Sequence, residues 1–280
     1  MPPKLTKLSA TKISTFEQCP KYYDFQYNAR AQRSFTPVEW EIGNIVHQSI
    51  AQLFQQVKSR HRSVIPRIGN PKWYEPLVSR LEAELRTSVN AGNVKIIRPG
   101  QSLDQYIGQA NAALYAFTAK VLPGLAEQKL LGIEEDLGRY TIAGLEISGR
   151  LDLATGLGGN VYVHDWKTGK RRPQDERQAR IYYFGCLAKY GRPIVTYRLY
   201  HLLEEGEIIE TYAFAPEVKL ELEREIRALV GKIESLDEFI AKPSILCHWC
   251  PFGPQCSEGM AFMTEHEVPV HEDLLDLGVF

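Results

Sequence analysis

Apolar residues recur at every third or fourth position over residues 38 to about 58, at Val46, Ile50, Leu53, Phe54 and Val57. That spacing lines them along one face of an amphipathic helix, with His47 beside Val46. An earlier helix is expected around Phe16, Tyr23 and Tyr27, opened by Ser14 and Glu17 in capping-box spacing, so that Cys19 lies on or beside it. Residues 74–90 and 102–128 read as two more helices, the second interrupted by Pro123 and Gly124. They suggest a helical insertion over about residues 60–130.

The period then shortens. The segments RYTIA, LEISGRLDLA and NVYVHDWKT alternate or cluster β-formers and are separated by Gly144 and by the turn-rich TGLGGN, which predicts a three-stranded meander. After Pro173 an amphipathic helix runs to about Tyr190. Strands IVTYRLYHLL and EIIETYAF follow, joined by EEGE, and a charged helix covers about residues 216–241. The expected core is therefore α/β, in the order helix, three strands, helix, strand.

Composition narrows the reading. A chain of 280 residues with 44% hydrophobic and 24% charged residues can bury one substantial core that carries an insertion. No apolar run reaches the roughly 20 residues of a membrane helix, and MPPKLTKLSATK lacks a signal-peptide core, so a cytoplasmic protein without a membrane partner is expected. A net charge of −1 leaves nucleic-acid affinity to a local patch. Lys167, Lys170, Arg171, Arg172, Arg177 and Arg180, set against Asp175 and Glu176, offer one. Five cysteines without an export signal argue for metal or redox use over disulfides. Cys186, among Tyr183, Phe184 and Leu187, reads as a small buried hydrophobe.

The candidate chemistry lies on the strands. Asp152 sits in GRLDL, Asp165 ends VYVHD, and Lys167 follows two positions later on the same face, with His164 pointing to the other. If the two strands pair, Asp152 and Asp165 can share a hard divalent cation with a lysine beside it. Cys19, Cys247, Cys250 and Cys256 supply four thiolates, a set that suits an iron-sulfur cluster or a tetrahedral zinc. Tyr22, Tyr23, Tyr27 and Trp249 are candidates either for base stacking or for core packing.

The D…DWK arrangement between two helices resembles the PD-(D/E)XK nuclease superfamily. GNIVH, from Gly43 to His47, is similar to the G-x-x-x-H motif of its RecB-like branch, and QARIY, from Gln178 to Tyr182, to the Q-x-x-x-Y motif. One cysteine before the core and CHWCPFGPQC after it look like the 4Fe-4S members, which include CRISPR-associated RecB-like exonucleases and AddB-type domains. The third motif here is D-x-K where many relatives carry E-x-K.

The resemblance covers about residues 8–258 and implies a restriction-endonuclease-like core in one nuclease domain over residues 1–258, followed by a tail over 259–280. It implies that His47, Asp152, Asp165 and the Trp166 carbonyl bind Mg2+ or Mn2+, that Lys167 helps activate water, and that Gln178 and Tyr182 contact DNA or orient the lysine. It implies a 4Fe-4S cluster on Cys19, Cys247, Cys250 and Cys256, joining segments 8–28 and 244–258. The implied substrate is DNA, single-stranded or with single-stranded ends, trimmed by an exonuclease in repair, recombination or CRISPR adaptation. Helicase or CRISPR-adaptation proteins are the implied partners. A non-catalytic, metal-stabilised DNA-binding module and a nuclease subunit active only in a larger complex are the alternatives.

Overall fold

Five strands make the main sheet: β1 Lys129–Asp136, β2 Arg150–Leu157, β3 Asn160–Lys167, β4 Val195–His201 and β5 Ile209–Tyr212. The computed structural model describes residues 5–59, 72–138, 140–169, 173–191, 195–205 and 208–268. The sheet order is β5-β4-β3-β2-β1. All neighbouring pairs are antiparallel except β3 and β4, which run parallel. Leu157 pairs with Asn160 across a two-residue turn in which Gly158 and Gly159 take φ of 58° and 88°. Positive φ at both central positions matches the right-handed strand twist, and glycine adopts it without strain.

Three helices serve this sheet: α1 Val38–Ser59, α2 Pro173–Tyr190 and α3 Val218–Glu234. A parallel pair needs a crossover, and α2 supplies it between β3 and β4. Its Ala179, Ile181, Phe184 and Cys186 are buried with Val161, Val163, Tyr197 and Leu199 of the sheet and with Leu222 and Ile226 of α3. Each large side chain so buried stabilises the fold by about 1.5–3 kcal/mol. Along α1, Phe54 meets Phe117 edge-on at 6.1 Å, and Phe117 meets Trp166 of β3 at 5.1 Å.

The order α1, β1, β2, β3, α2, β4 is the expected one, but its first strand is a different segment. Lys129–Asp136, not the RYTIA segment, pairs with β2. Tyr140–Ile142 and Leu145–Ile147 form a hairpin in a separate three-stranded sheet, with Lys7–Leu8 parallel to the second of them. The first helix also begins earlier than expected, at Ala10, where Ser9 Oγ accepts the Lys12 N–H at 3.1 Å. Ser14 and Glu17 therefore lie inside it and do not open it.

The chain divides into two units, one of residues 1–13, 46–73 and 112–237, the other of 14–45, 74–111 and 238–280. The first holds the main sheet. In the second, Glu39 Oε1 accepts hydrogen bonds from Tyr106 OH (2.9 Å) and Trp249 Nε1 (3.4 Å) and faces Arg98 at 3.5 Å. Tyr23 stacks on Phe239 at 5.9 Å, and Trp249 is buried beside Ile97 and Ile245, so core packing accounts for both aromatics. Part of the expected insertion, residues 60–71, and the end of the expected tail, 269–280, lie outside the described residues. Helix Ser257–Glu265 runs across the boundary placed at 258. No described helix is long and apolar enough to cross a membrane.

Candidate active site and cysteine centre

The sheet register sets the carboxylates. β2 and β3 pair up to Leu153 opposite His164, and the next position along brings Asp152 across from Asp165. Asp152 Oδ2 accepts the Trp166 N–H at 2.9 Å, while Oδ1 faces His47 Nδ1 at 3.2 Å. On the other edge of β2, Ile133 opposes Leu153 and Glu135 opposes Leu151, which puts Glu134 opposite Asp152. One ligand atom each from His47, Glu134 and Asp152 lie within 4.8 Å of one another.

Asp165 is 7% exposed and held on several sides. Lys167 Nζ lies 2.8 Å from Oδ2, and Oδ1 accepts hydrogen bonds from Gln178 Nε2 (2.9 Å) and Tyr197 OH (2.9 Å). Gln178 Oε1 in turn accepts from Lys167 Nζ at 3.1 Å. Gln178 thus fixes both ends of the Asp165–Lys167 pair. Among the described residues, Asp165 Oδ2 receives no hydrogen bond of good geometry.

Burial pushes the Asp165 carboxyl pKa up; Lys167 opposes that push and Asp152 adds to it. For His47 burial alone works downward, but the Asp152 carboxylate and then Asp165 raise it to about 9. Burial also works against the Lys167 ammonium, yet Asp165 raises its pKa. Glu134 is pushed up by burial first and by the Asp152 charge second. The site therefore gathers three carboxylates around His47 and Lys167, and the repulsion among the carboxylates is one that a divalent cation would relieve.

Tyr182 stands one helical turn from Gln178, and no hydrogen bond to Asp165 or Lys167 is found for it among the described residues. The Arg150 backbone N–H hydrogen-bonds its phenol, and its ring lies so close to Gly149 that a Cβ there would come within 2.9 Å of it. Trp166 is 2% exposed and packs on Tyr200 at 5.0 Å. His164 points to the opposite face, bonded to Thr155 Oγ1 and Tyr200 OH at 2.8 Å each, and burial pushes its pKa down to about 3. Of the basic patch, Lys170–Arg172 fall outside the described residues. Arg180 does not face outward as a free cation: its guanidinium grips Glu225 at 2.8 and 3.2 Å.

In the second unit Cys19, Cys247, Cys250 and Cys256 line one cavity with Lys21, Tyr22 and Phe25. Cys19 is extended between two helical segments and caps the one opened by Pro20. Each sulfur is met by a backbone N–H: Lys242 to Cys19 (3.4 Å), Ser244 to Cys247 (3.5 Å), Gly259 to Cys256 (3.4 Å) and Phe252 to Cys250. Burial pushes the Cys250 thiol up to about 12 and also raises Cys247 and Cys256. A side chain on Gly259 would stand 3.5 Å from Cys256 Sγ and 3.7 Å from Cys247 Sγ, so glycine keeps the sulfur-lined space clear.

Glu134 and Tyr197 are the site residues that sequence reasoning missed. A family model described as the PD-(D/E)XK nuclease superfamily matches residues 7–257. No curated protein matches the chain significantly.

Proposed function

Because the chain belongs to the PD-(D/E)XK nuclease superfamily, we propose that it is a deoxyribonuclease that shortens single-stranded DNA or single-stranded overhangs from an end. Superfamily members are metal-dependent nucleases acting on phosphodiester bonds, so hydrolysis of nucleic acid is the coarse activity. The observation that supports metal-dependent hydrolysis is the Asp165–Lys167 pair, locked by Gln178 beside Asp152 and His47; the end-trimming of single strands follows the resemblance of the motifs to RecB-like exonucleases.

The donor set fits a hard divalent ion: carboxylate oxygens, one imidazole, and a buried Asp165 oxygen that no well-oriented hydrogen bond satisfies. His47, Asp152, Asp165 and the Trp166 carbonyl would hold Mg2+ or Mn2+, which supplies Lewis acidity, an activated water and charge neutralisation at the scissile phosphate. Lys167 places an ammonium where the transition state gathers negative charge, and Gln178 and Tyr197 keep the pair from reorienting as that charge develops. Tyr182, set against the backbone of β2, positions the strand that bears Asp152.

Cys19, Cys247, Cys250 and Cys256 would hold a 4Fe-4S cluster with a structural role, since four thiolates and four N–H donors converge on one cavity. An iron and sulfide assay on anaerobically purified protein tests this, and zinc in their place would contradict it. For the nuclease, end-labelled single-stranded DNA is incubated with Mn2+, with Mg2+ and with EDTA. A ladder shortening from one end in metal alone is expected. Cutting of circular single strands would overturn the exonuclease reading. Action within a repair or CRISPR-adaptation assembly would show as activity that rises when the partner is supplied.

A further inference from the structure

We propose that Glu134 is a metal-ligating residue of this centre, adding a third carboxylate to Asp152 and Asp165 beside His47; the inference rests on the reading of the site as a divalent-metal centre. Glu134 belongs to none of the motifs that point to the nuclease, and it lies on β1, a strand the sequence pattern conceals.

Three observations converge on it. The first is placement: Ile133 and Glu135 pair with Leu153 and Leu151, which sets Glu134 across from Asp152, and one carboxylate oxygen lies within 4.8 Å of a His47 ring nitrogen and an Asp152 oxygen. The second is conformation. Glu134 has φ of +47° inside a strand, where the other non-glycine residues with positive φ among the described residues, Arg30 and Ala143, lie in connections. A residue with a Cβ resists that conformation, and such strain persists where the surroundings hold the side chain to a task.

The third is the balance of charge around it. The arginine facing Glu134, Arg150, stands 3.9 Å away and is 72% exposed, so water screens its charge. The neighbouring Asp165 carboxylate already engages Lys167, whose Nζ lies 2.8 Å from Oδ2, so that ammonium is committed there. Three carboxylates set against the His47 imidazole and the Lys167 ammonium leave a surplus of negative charge, and the mixed nitrogen and oxygen donors suit a divalent ion, for which Mn2+ is the probe of choice.

The test is Mn2+ binding to the intact protein without nucleic acid, read from the electron paramagnetic resonance signal of the free ion. Wild type, E134Q and D152N are compared, with melting in EDTA as a check on folding. E134Q is expected to weaken Mn2+ binding by at least about tenfold, the scale seen when support of a metal site is removed. Weakening by D152N with wild-type affinity in E134Q overturns the role of Glu134 and leaves the centre standing. Wild-type affinity in both variants overturns the centre itself. If E134Q melts early in EDTA, E134N takes its place, because asparagine tolerates left-handed backbone while removing the charge; wild-type affinity there overturns the proposal equally.

Discussion

The carboxylate centre and the cysteine centre are built by opposite means. Asp152, Asp165 and Lys167 stand on neighbouring strands, so the hydrogen-bonded ladder of β2 and β3 fixes their spacing before any side chain acts. The four cysteines stand on short helical turns and extended residues drawn from both ends of the chain, and backbone N–H groups aimed at sulfur hold them in place. The strand-borne centre keeps its geometry without its metal. The loop-borne centre, with thiols raised by burial, would form its thiolates only with the metal proposed for it.

The largest effect should come from Asp165→Ala. It removes the carboxylate that anchors Lys167 and is expected to lower cleavage at least about a thousandfold, roughly 4 kcal/mol of transition-state stabilisation. Iron content should not change, because carboxylates and thiolates are separate ligand sets. A loss of iron in that variant would break the comparison.

Cys250→Ala should do the converse. Losing a structural metal weighs on folding directly, so the melting temperature is expected to fall by roughly 10 °C with loss of iron. An unchanged melting curve would remove the structural role. Smaller again is Gln178→Ala, expected to slow turnover about 10- to 100-fold with Mn2+ binding kept, since it orients Asp165 and Lys167 without ligating. Steady-state kinetics beside metal binding separate the two.

The pH dependence sharpens the comparison. His47 in the metal-free fold has its pKa raised to about 9 from 6.5, so a cation must displace its proton below that value. Mn2+ affinity should rise with pH and level off above about 9, as a titration series would show. Without metal, the same shift stabilises the fold fully below pH 6.5, and the stabilisation is lost as pH climbs through about 9. The smallest effect is expected for Tyr197→Phe, which removes one hydrogen bond to a charged group, about 1.5–3 kcal/mol at most, and should slow turnover about tenfold.

Strand periodicity made much of the first centre legible. Asp165 and Lys167, two positions apart, had to share a face, and His164 had to leave it. Glu134 escaped because its strand, KLLGIEED, does not alternate: the register shifts between Leu130 and Gly132, and the left-handed turn at Glu134 breaks the period again. Tyr197 escaped because the alternation of VTYRLYH places it with Leu199 on the buried face, where a tyrosine reads as core and no motif marks it as part of the site. The cysteines were legible as a set, but not the amides that hold them, which come from backbone that no side-chain pattern encodes.

The central claim is that hydrolysis runs through the carboxylate centre and its divalent ion. The most direct measurement strips the purified protein with EDTA, follows cleavage of end-labelled single-stranded DNA, and then restores Mn2+ in excess. Cleavage that stops in EDTA and returns with Mn2+ in the wild type but not in Asp165→Ala is the predicted result. Cleavage that continues in EDTA, or returns equally in Asp165→Ala, would contradict the account.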